Sequence, residues 1–519
     1  MIVGNGRGLF GPGGDVSAVA SANFLTSTSL PVWLTHLRAG NAMLFDSTGK
    51  LTYAPNNLLL NTATLSTQTV AVQSGVNYIL SIKGTGSVAL SGASSSSLAG
   101  TGAGNRVDLK ITASTSSLTL TVTGSVTSAR LSAVTDEASF RSVDDVDTTS
   151  AAYYGPRFDY DPATLAAKGL LIEEGRTNVF QQSNNFGATW ALTGGAGTLT
   201  LSQGAPASPD SSSDTWKLFA NAQGAKSYGL YESFTYSASA YTFSIFAKAG
   251  TTSNLVLDFS NFGDAGANFN LTTGAVVYTD AGVTALMQPL GNGWYRCIAQ
   301  KTVSAGADYP EFYLTNSNSA NVRLWSPAGT EYLYVYGAQL EAGSFATSYI
   351  PTGASAVTRA ADVAQLTGGA AGAARATQGS LIAQTTLLLD YGAATNRMVV
   401  GNSAANYRYF GYAGGANSTV NDYNGMNGLA ATMGSGTWTG GAVRFASSWS
   451  AAGRSLASNG GSVATSASPF PSIGSDSPYV GSRDGVSQFL NGWIASMAFY
   501  DQRLPDATLQ AKSSVGASY

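Results

Sequence analysis

The feature that most constrains this chain is the two-residue period of its apolar positions, held through short runs and broken each time by glycine, serine or asparagine. "QTVAVQSGVNYILSIKGTGSVALSG" (68–92) and "RVDLKITASTSSLTLTVTGSVTSARLSAV" (106–134) carry it most openly. Alternation of this kind sends successive side chains to opposite faces of an extended strand, and the small residues between runs are the chemistry of turns. Long runs rich in Glu, Lys, Leu and Arg, which would make amphipathic helices, are almost absent, and charged residues make up only 11% of the chain. The sequence therefore predicts an all-β protein. Its 519 residues exceed one ordinary core, which implies two to four domains.

Changes of pattern divide the chain. Residues 1–57 are Gly-rich and poorly periodic, with one apolar cluster, "LPVWLTHLRAGNAMLF", and read as a docking or anchor segment. Residues 58–140 predict a small β-sandwich, 141–169 a linker, and 170–362 a larger jelly roll. The larger block repeats the plan of the smaller: "YILSIKGTGS" at Tyr78 is answered by "YTFSIFAKAGT" at Tyr241, and "ARLSAVTDEASF" by "GAQLEAGSFATSYIPT". An Ala- and Gly-rich stretch, 363–378, reads as a second linker. Residues 379–519 predict a further sandwich that ends in one short helix at "LPDATLQAKSS".

Charge and cysteine narrow the function. A net charge of -3 without a basic block argues against nucleic acid as a partner. The single cysteine, Cys297, excludes an intrachain disulfide framework and a Cys-rich zinc site. Its strand, "GWYRCIAQ", puts Tyr295, Cys297 and Ala299 on one face, as expected of a packed thiol. No stretch has the length of a membrane span, and the opening residues lack the pattern of a secretory signal. The expectation is synthesis in a cytoplasm without membrane insertion.

Candidate chemistry is sparse. "GLLIEEGRTNVF" holds Glu173, Glu174 and Arg176. Adjacent residues of an extended segment face opposite ways, so Glu173 and Glu174 cannot address one bond as a glycosidase pair. The expected role is a structural joint in which one carboxylate pairs with Arg176 or a backbone donor. Asp159 and Asp161 in "FDYDP" would share a face if extended and could hold a cation, or else form an Asp-Pro turn. Asp144, Asp145 and Asp147 offer oxygens without a calcium-loop spacing, as a solvated linker would. The one histidine, His36, lies among Trp33, Leu34 and Leu37, far from any Ser-His-Asp pattern. "GNGW" at 291 lacks the strand-to-helix setting of a phosphate loop. No cofactor, metal site or catalytic residue is predicted.

Three segments carry family resemblances. "YGPRFDYDPATLAAKGLLIEEGRTNVF", closely from Pro156 to Phe180, resembles a segment common in structural proteins of tailed bacteriophages, where it leads into a jelly roll similar to carbohydrate-binding modules. "GAQLEAGSFATSYIPTGASAVTRAAD" (Gly337 to Asp362) resembles the close of the same module, and "LNGWIASMAFYDQRLPDATLQ" the last strands of laminin-G or concanavalin-like lectin sandwiches. The resemblance implies tandem jelly-roll sandwiches with a lectin-like C-terminal domain in a virion protein, a peripheral tail fibre, spike or head fibre. It also implies a homotrimer, contacts with other virion proteins through the N-terminal segment, and adhesion to a bacterial surface glycan. Rival readings are a decoration protein without a receptor and a glycan depolymerase, although the β-helix repeat expected of the latter is not visible.

Sugar rings stack on Trp or Tyr while their hydroxyls pair with Asn, Asp and backbone groups. "YRYFGYAGGANSTVNDYNGMNG" mixes these types densely. Tyr407, Tyr409, Tyr423, Asp422, Asn424 and Trp438, with Trp449 nearby, are the predicted glycan contacts. By contrast Tyr332, Tyr334 and Tyr336 of "EYLYVYGAQ" share a face and are expected to pack against an opposing sheet.

Overall fold

A computed structural model describes residues 17–135, 146–259, 265–388, 396–402, 408–412, 419–424, 431–437, 441–469 and 476–518, with the backbone only at 408, 409, 419–424 and 431–437. The chain forms three antiparallel β-sandwiches, each with its own apolar core.

In the first sandwich Asn77–Gly84 lies between Gly102–Thr112 and Val126–Val134, and this sheet packs on four strands ordered Gln68–Ala71, Ser117–Thr123, Ser87–Gly92, Ser97–Ala99. The period-two pattern acts directly here: Leu80 and Ile82 from one sheet meet Val88, Leu118 and Leu120 from the other, all fully buried. Gly84 has φ +115°, and a Cβ there would stand 2.3 Å from the Ser125 carbonyl oxygen, so the strand's end admits only glycine.

The second sandwich is larger, with two six-stranded sheets. One runs Leu199–Gly204, Thr215–Ala220, Tyr332–Ala342, Ser239–Ala249, Trp294–Val303, Val283–Gly291; the other is centred on Asn254–Phe259 and Pro310–Thr315. Phe243, Ile245, Leu257, Phe312, Leu333 and Val335 fill the core, joined by Cys297 and Ala299.

The two sandwiches repeat one device. Asn57 accepts from the amides of Leu59 (3.2 Å) and Leu131 (3.1 Å) and donates to Ala129 O (3.2 Å). Asn178 accepts from Phe180 (3.2 Å) and Leu340 (3.1 Å) and donates to Ala338 O (3.1 Å). Each asparagine thus pins the incoming chain to the closing strand, and in both sandwiches that strand pairs with the central one: Leu131 opposite Leu80, and Leu340 opposite Phe243. The closing strands leave their regular path at Ser128 (φ 45°) and Gly337 (φ 58°).

The third sandwich overturns the expected boundaries. Its larger sheet contains Gly379–Leu387, Ala442–Ser450 and Gly492–Tyr500, but also Ala20–Asn23, Arg157–Tyr160 and Ala167–Ile172. The opposing sheet begins with Leu34–Leu37 and Val363–Leu366. Residues 20–23 and 34–37 are therefore strands of this sandwich rather than parts of a separate docking arm, and within the expected linker 141–169 the segments 157–160 and 167–169 are sheet. Further along the N-terminal region comes the hairpin Met43–Phe45/Leu51–Tyr53, which packs Met43 and Leu51 on the second sandwich. The stretch 363–378 is not a linker either: after Val363–Leu366 comes the helix Gly368–Arg375, with Ala370, Ala371, Ala373 and Ala374 buried in the core. Alanine has the highest helix propensity, and its small side chain lets the helix lie close against the sheet. The predicted C-terminal helix is Asp506–Lys512, packed through Leu509 on Ile382, Ala446 and Ala498.

Candidate functional site

Where the three sandwiches meet, a buried ionic cluster replaces apolar packing. Arg157 Nη1 donates to Glu173 Oε2 (2.6 Å) and Arg157 Nη2 to Asp362 Oδ2. Asp362 also receives Arg38 Nη1 (2.8 Å), lies 3.2 Å from His36 Nε2, and takes the Glu173 amide (3.0 Å). Glu173 Oε1 accepts from the Ser348 amide (2.9 Å), and Arg359 Nη2 lies 3.5 Å from its Oε2. Burial works to raise Glu173, but Arg157 and Arg359 hold it down to about 2. Burial likewise opposes ionisation of Asp362, yet Arg157, the His36 hydrogen bond and Arg38 keep it well below the carboxylate range. Glu174 turns elsewhere, to Arg176 Nη2 (2.5 Å) and to the Asn491 side chain (3.0 Å), at a partly exposed position. The carboxylates of Glu173 and Glu174 thus have separate partners, and both buried carboxylates, Glu173 and Asp362, are matched by arginines, which makes the cluster architectural.

The groups suited to hold a ligand lie in a cleft of about 320 Å³ between the first and second sandwiches. One wall is the turn Gln73–Asn77 with Val134 and Thr135; the other is formed by Asn184, Asn185, Gln203, Asp210, Asp214 and Trp216. Gln73 Nε2 donates to Pro351 O (2.8 Å), tying the walls together. The half-buried Trp216 ring is fixed by its Nε1, which donates to Asn184 O (3.0 Å), and by edge contact with Phe186. Asp210 is buried and accepts from Tyr336 OH (2.7 Å) and Ser208 Oγ (2.5 Å). Asp214 accepts from Gln203 Nε2 (3.2 Å); partial burial and then the neighbouring Asp210 charge raise it above the usual carboxylate range. A fixed indole edged by amides and carboxylates can stack a flat apolar face while pairing with hydroxyls around it.

The described residues among those predicted to contact glycan lie elsewhere. Tyr407 and Trp438 fall outside the described residues, as do Asp144 and Asp145. Tyr409 is the register partner of Tyr423, with Asp422 and Asn424 on the same strand, opposite Phe410 and Arg408. Trp449 is a core residue, fully buried with Nε1 donating to Ala376 O (3.0 Å), because it sits on an inward position of a central strand. The expectation for Tyr332 and Tyr334 also reverses. Leu333 and Val335 point into the core, so the tyrosines stand half-buried on the outer face, while Tyr336 is covered by the hairpin. Asp159 and Asp161 have different settings, since the strand ends at Tyr160 and Asp161 lies beyond it. Asp159 is buried against the Phe45 amide and Trp493 Nε1, whereas Asp161 closes a turn onto the Ala163 and Thr164 amides. Asp147 lies 3.4 Å from Thr62 Oγ1. Among the described residues, no group of three or more His, Cys, Asp or Glu is placed to hold a metal ion, and no helix is long and apolar enough to cross a membrane.

The cleft residues escaped sequence reasoning. "QQSNNF" (181–186) and "PDSSSDTW" (209–216) carry the amides, carboxylates and indole, yet they are distant in sequence from the turn that completes the site.

No family model and no curated protein matches the chain. Among solved structures it is similar to the N-terminal CBM22-1-CBM22-2 tandem of Paenibacillus barcinonensis Xyn10C, at 12% identity and TM-score 0.22, covering 64% of this chain and 99% of that one. It is also similar to domains LG4-5 of the mouse laminin alpha1 chain, at 11% identity and TM-score 0.20, covering 55% and 89%. A bifunctional GH43-CE protein of Bacteroides eggerthii matches at 10% identity and TM-score 0.19, over 91% of this chain and 62% of that one. The all-β sandwich architecture itself is read from the sheets described above.

Proposed function

We propose that this protein binds glycans, and that the cleft between the first and second sandwiches is a site where it does so. The observation that carries this reading is Trp216, held rigid by Asn184 and ringed by Asn185, Gln203 and Asp214. The phage-like segments Pro156–Phe180 and Gly337–Asp362 support a place on a virion, as a peripheral fibre or spike, with homotrimers multiplying weak contacts. The indole and amides lining the cleft favour this reading over a receptor-free decoration protein. A second reading is a glycan hydrolase, since Asp210 and Asp214 both line the cleft wall beside Trp216 and Asp214 would be its acid.

The test is binding of the full chain to intact host cells and to an array of bacterial surface glycans, with released reducing ends measured in parallel. Trp216→Ala is expected to weaken binding about tenfold or more, the ~1.4 kcal/mol scale of a lost aromatic contact. Unchanged binding in that variant would overturn the assignment of the cleft. Sugar release abolished by Asp214→Asn would replace adhesion with hydrolysis.

A further inference from the structure

The outer face of the second sandwich's sheet is only half covered. The hairpin seats Met43 and Leu51 on Phe246, Leu290, Trp294 and Tyr336. Beyond it the same face continues with Lys217, Phe219, Tyr332, Tyr334 and Lys248, all half-buried. Their inward neighbours Leu218, Leu333, Val335 and Ala247 are core residues, so strand alternation turns these five outward. Register lines them up across three strands: Tyr334 is opposite Lys217 on one side and Lys248 on the other, and Phe219 is opposite Tyr332. The Tyr332 and Tyr334 rings meet edge to face at 5.4 Å and 73°. Lys217 Nζ sits 3.9 Å over the Tyr332 ring, and Lys248 Nζ donates to Asn292 O at 2.5 Å. Among the described residues neither lysine pairs with a carboxylate, in a chain with 29 acidic against 26 basic residues.

We propose that this face is a second glycan-binding site, selective for polysaccharides that carry carboxylates on their sugars. Tyr334 and Phe219 provide the stacking surface, Tyr332 carries the Lys217 ammonium on its face, and the two lysines provide the charge complement. Lys217 and Lys248 project from strands two apart, about 9–10 Å between backbones. That span is comparable with a disaccharide repeat, so acidic groups on alternate sugars would meet both ammonium groups. An ammonium ion over a tyrosine face remains free to pair with an anion above it. The site shares no residue with the cleft, so it stands or falls independently of the cleft assignment.

The test uses affinity electrophoresis of the full chain in gels containing polygalacturonate or a neutral polysaccharide. Wild type is expected to be retarded by polygalacturonate, less so as salt rises. The double variant Lys217→Gln/Lys248→Gln should bind on the order of tenfold more weakly, and Lys217→Arg/Lys248→Arg should restore binding. An unchanged thermal transition in the Gln variant keeps loss of binding distinct from loss of fold. Trp216→Ala should leave polygalacturonate binding intact. No retardation of wild type, equal retardation of the Gln variant, or tighter lysine-dependent binding of a single-stranded oligonucleotide would each overturn the proposal, the last by assigning the face to nucleic acid.

Discussion

Replacing Glu173 with Gln probes the junction that unites the three sandwiches. The substitution keeps the size of the side chain and one acceptor oxygen, but removes the charge that faces Arg157 at 2.6 Å and Arg359 at 3.5 Å. Both guanidinium groups are buried, so water cannot take over the lost partner. One-sided removal from a buried pair costs about 3–5 kcal/mol, because the surviving charge is left uncompensated. The depression of Glu173 from its ordinary 4.5 to about 2 gives a compatible scale, about 3 kcal/mol at 1.36 kcal/mol per unit. Glu174→Gln is the internal control. Its carboxylate pairs with Arg176 at 2.5 Å, but the side chain is 31% exposed, and such pairs contribute about 1 kcal/mol or less. Urea unfolding of both variants, followed by intrinsic fluorescence and by limited proteolysis, compares the two costs directly. A loss for Glu173→Gln no greater than that for Glu174→Gln would refute the claim that the buried cluster holds the junction.

The same carboxylate sets a pH dependence. Because its folded-state value is depressed, Glu173 contributes fully above about pH 4.5, and that contribution is lost as the pH falls toward 2; acid unfolding of Glu173→Gln should lack this component. The repeated asparagine clamps predict a matched pair of losses. Asn57→Ala and Asn178→Ala each leave two backbone amides without their side-chain acceptor, costing about 1–3 kcal/mol, with hydrogen exchange rising at Leu59 and Leu131 in one variant and at Phe180 and Leu340 in the other. Exchange unchanged at those amides would mean that the strands hold without the clamps.

Local pattern revealed what local physics controls. Alternation around Tyr78 and Tyr241 marked strands whose inward residues are indeed the core, and Cys297 lies on the inward face that its strand's period indicates. Even the relation between the two sandwiches was legible, since "ARL" at 129–131 and "AQL" at 338–340 supply equivalent partners to Asn57 and Asn178. Domain boundaries were not. Ala20 pairs with Phe499, and Leu171 with Trp493. Strands of four to six residues matched across such separations carry no signal in their own composition. Glycine and alanine in 363–378 misled for another reason: the same residues that loosen a linker allow a helix to be buried at close range.

The aromatic residues show why a binding surface is harder to read than a core. Tyr332 and Tyr334 alternate with Leu333 and Val335, so the period is the same whichever set faces inward. Apolar size would assign the tyrosines to the interior; instead Leu333 and Val335 share the core with Leu257 and Phe312 of the opposing sheet, and the tyrosines take the outer face. Trp449 presents the converse case, a large ring in a Ser-rich strand, "FASSWS", that nevertheless lies fully buried with its indole nitrogen bonded to Ala376 O. The cleft adds a further obstacle, since Trp216 gains its surroundings from Asn184 on one side and the Gln73–Asn77 turn on the other. A site whose walls belong to two sandwiches exists only once the buried charges around Arg157 and the Gln73 contact to Pro351 have set those sandwiches against each other. Residues far from any ligand therefore govern the geometry of recognition, and their sequence signature is that of structure.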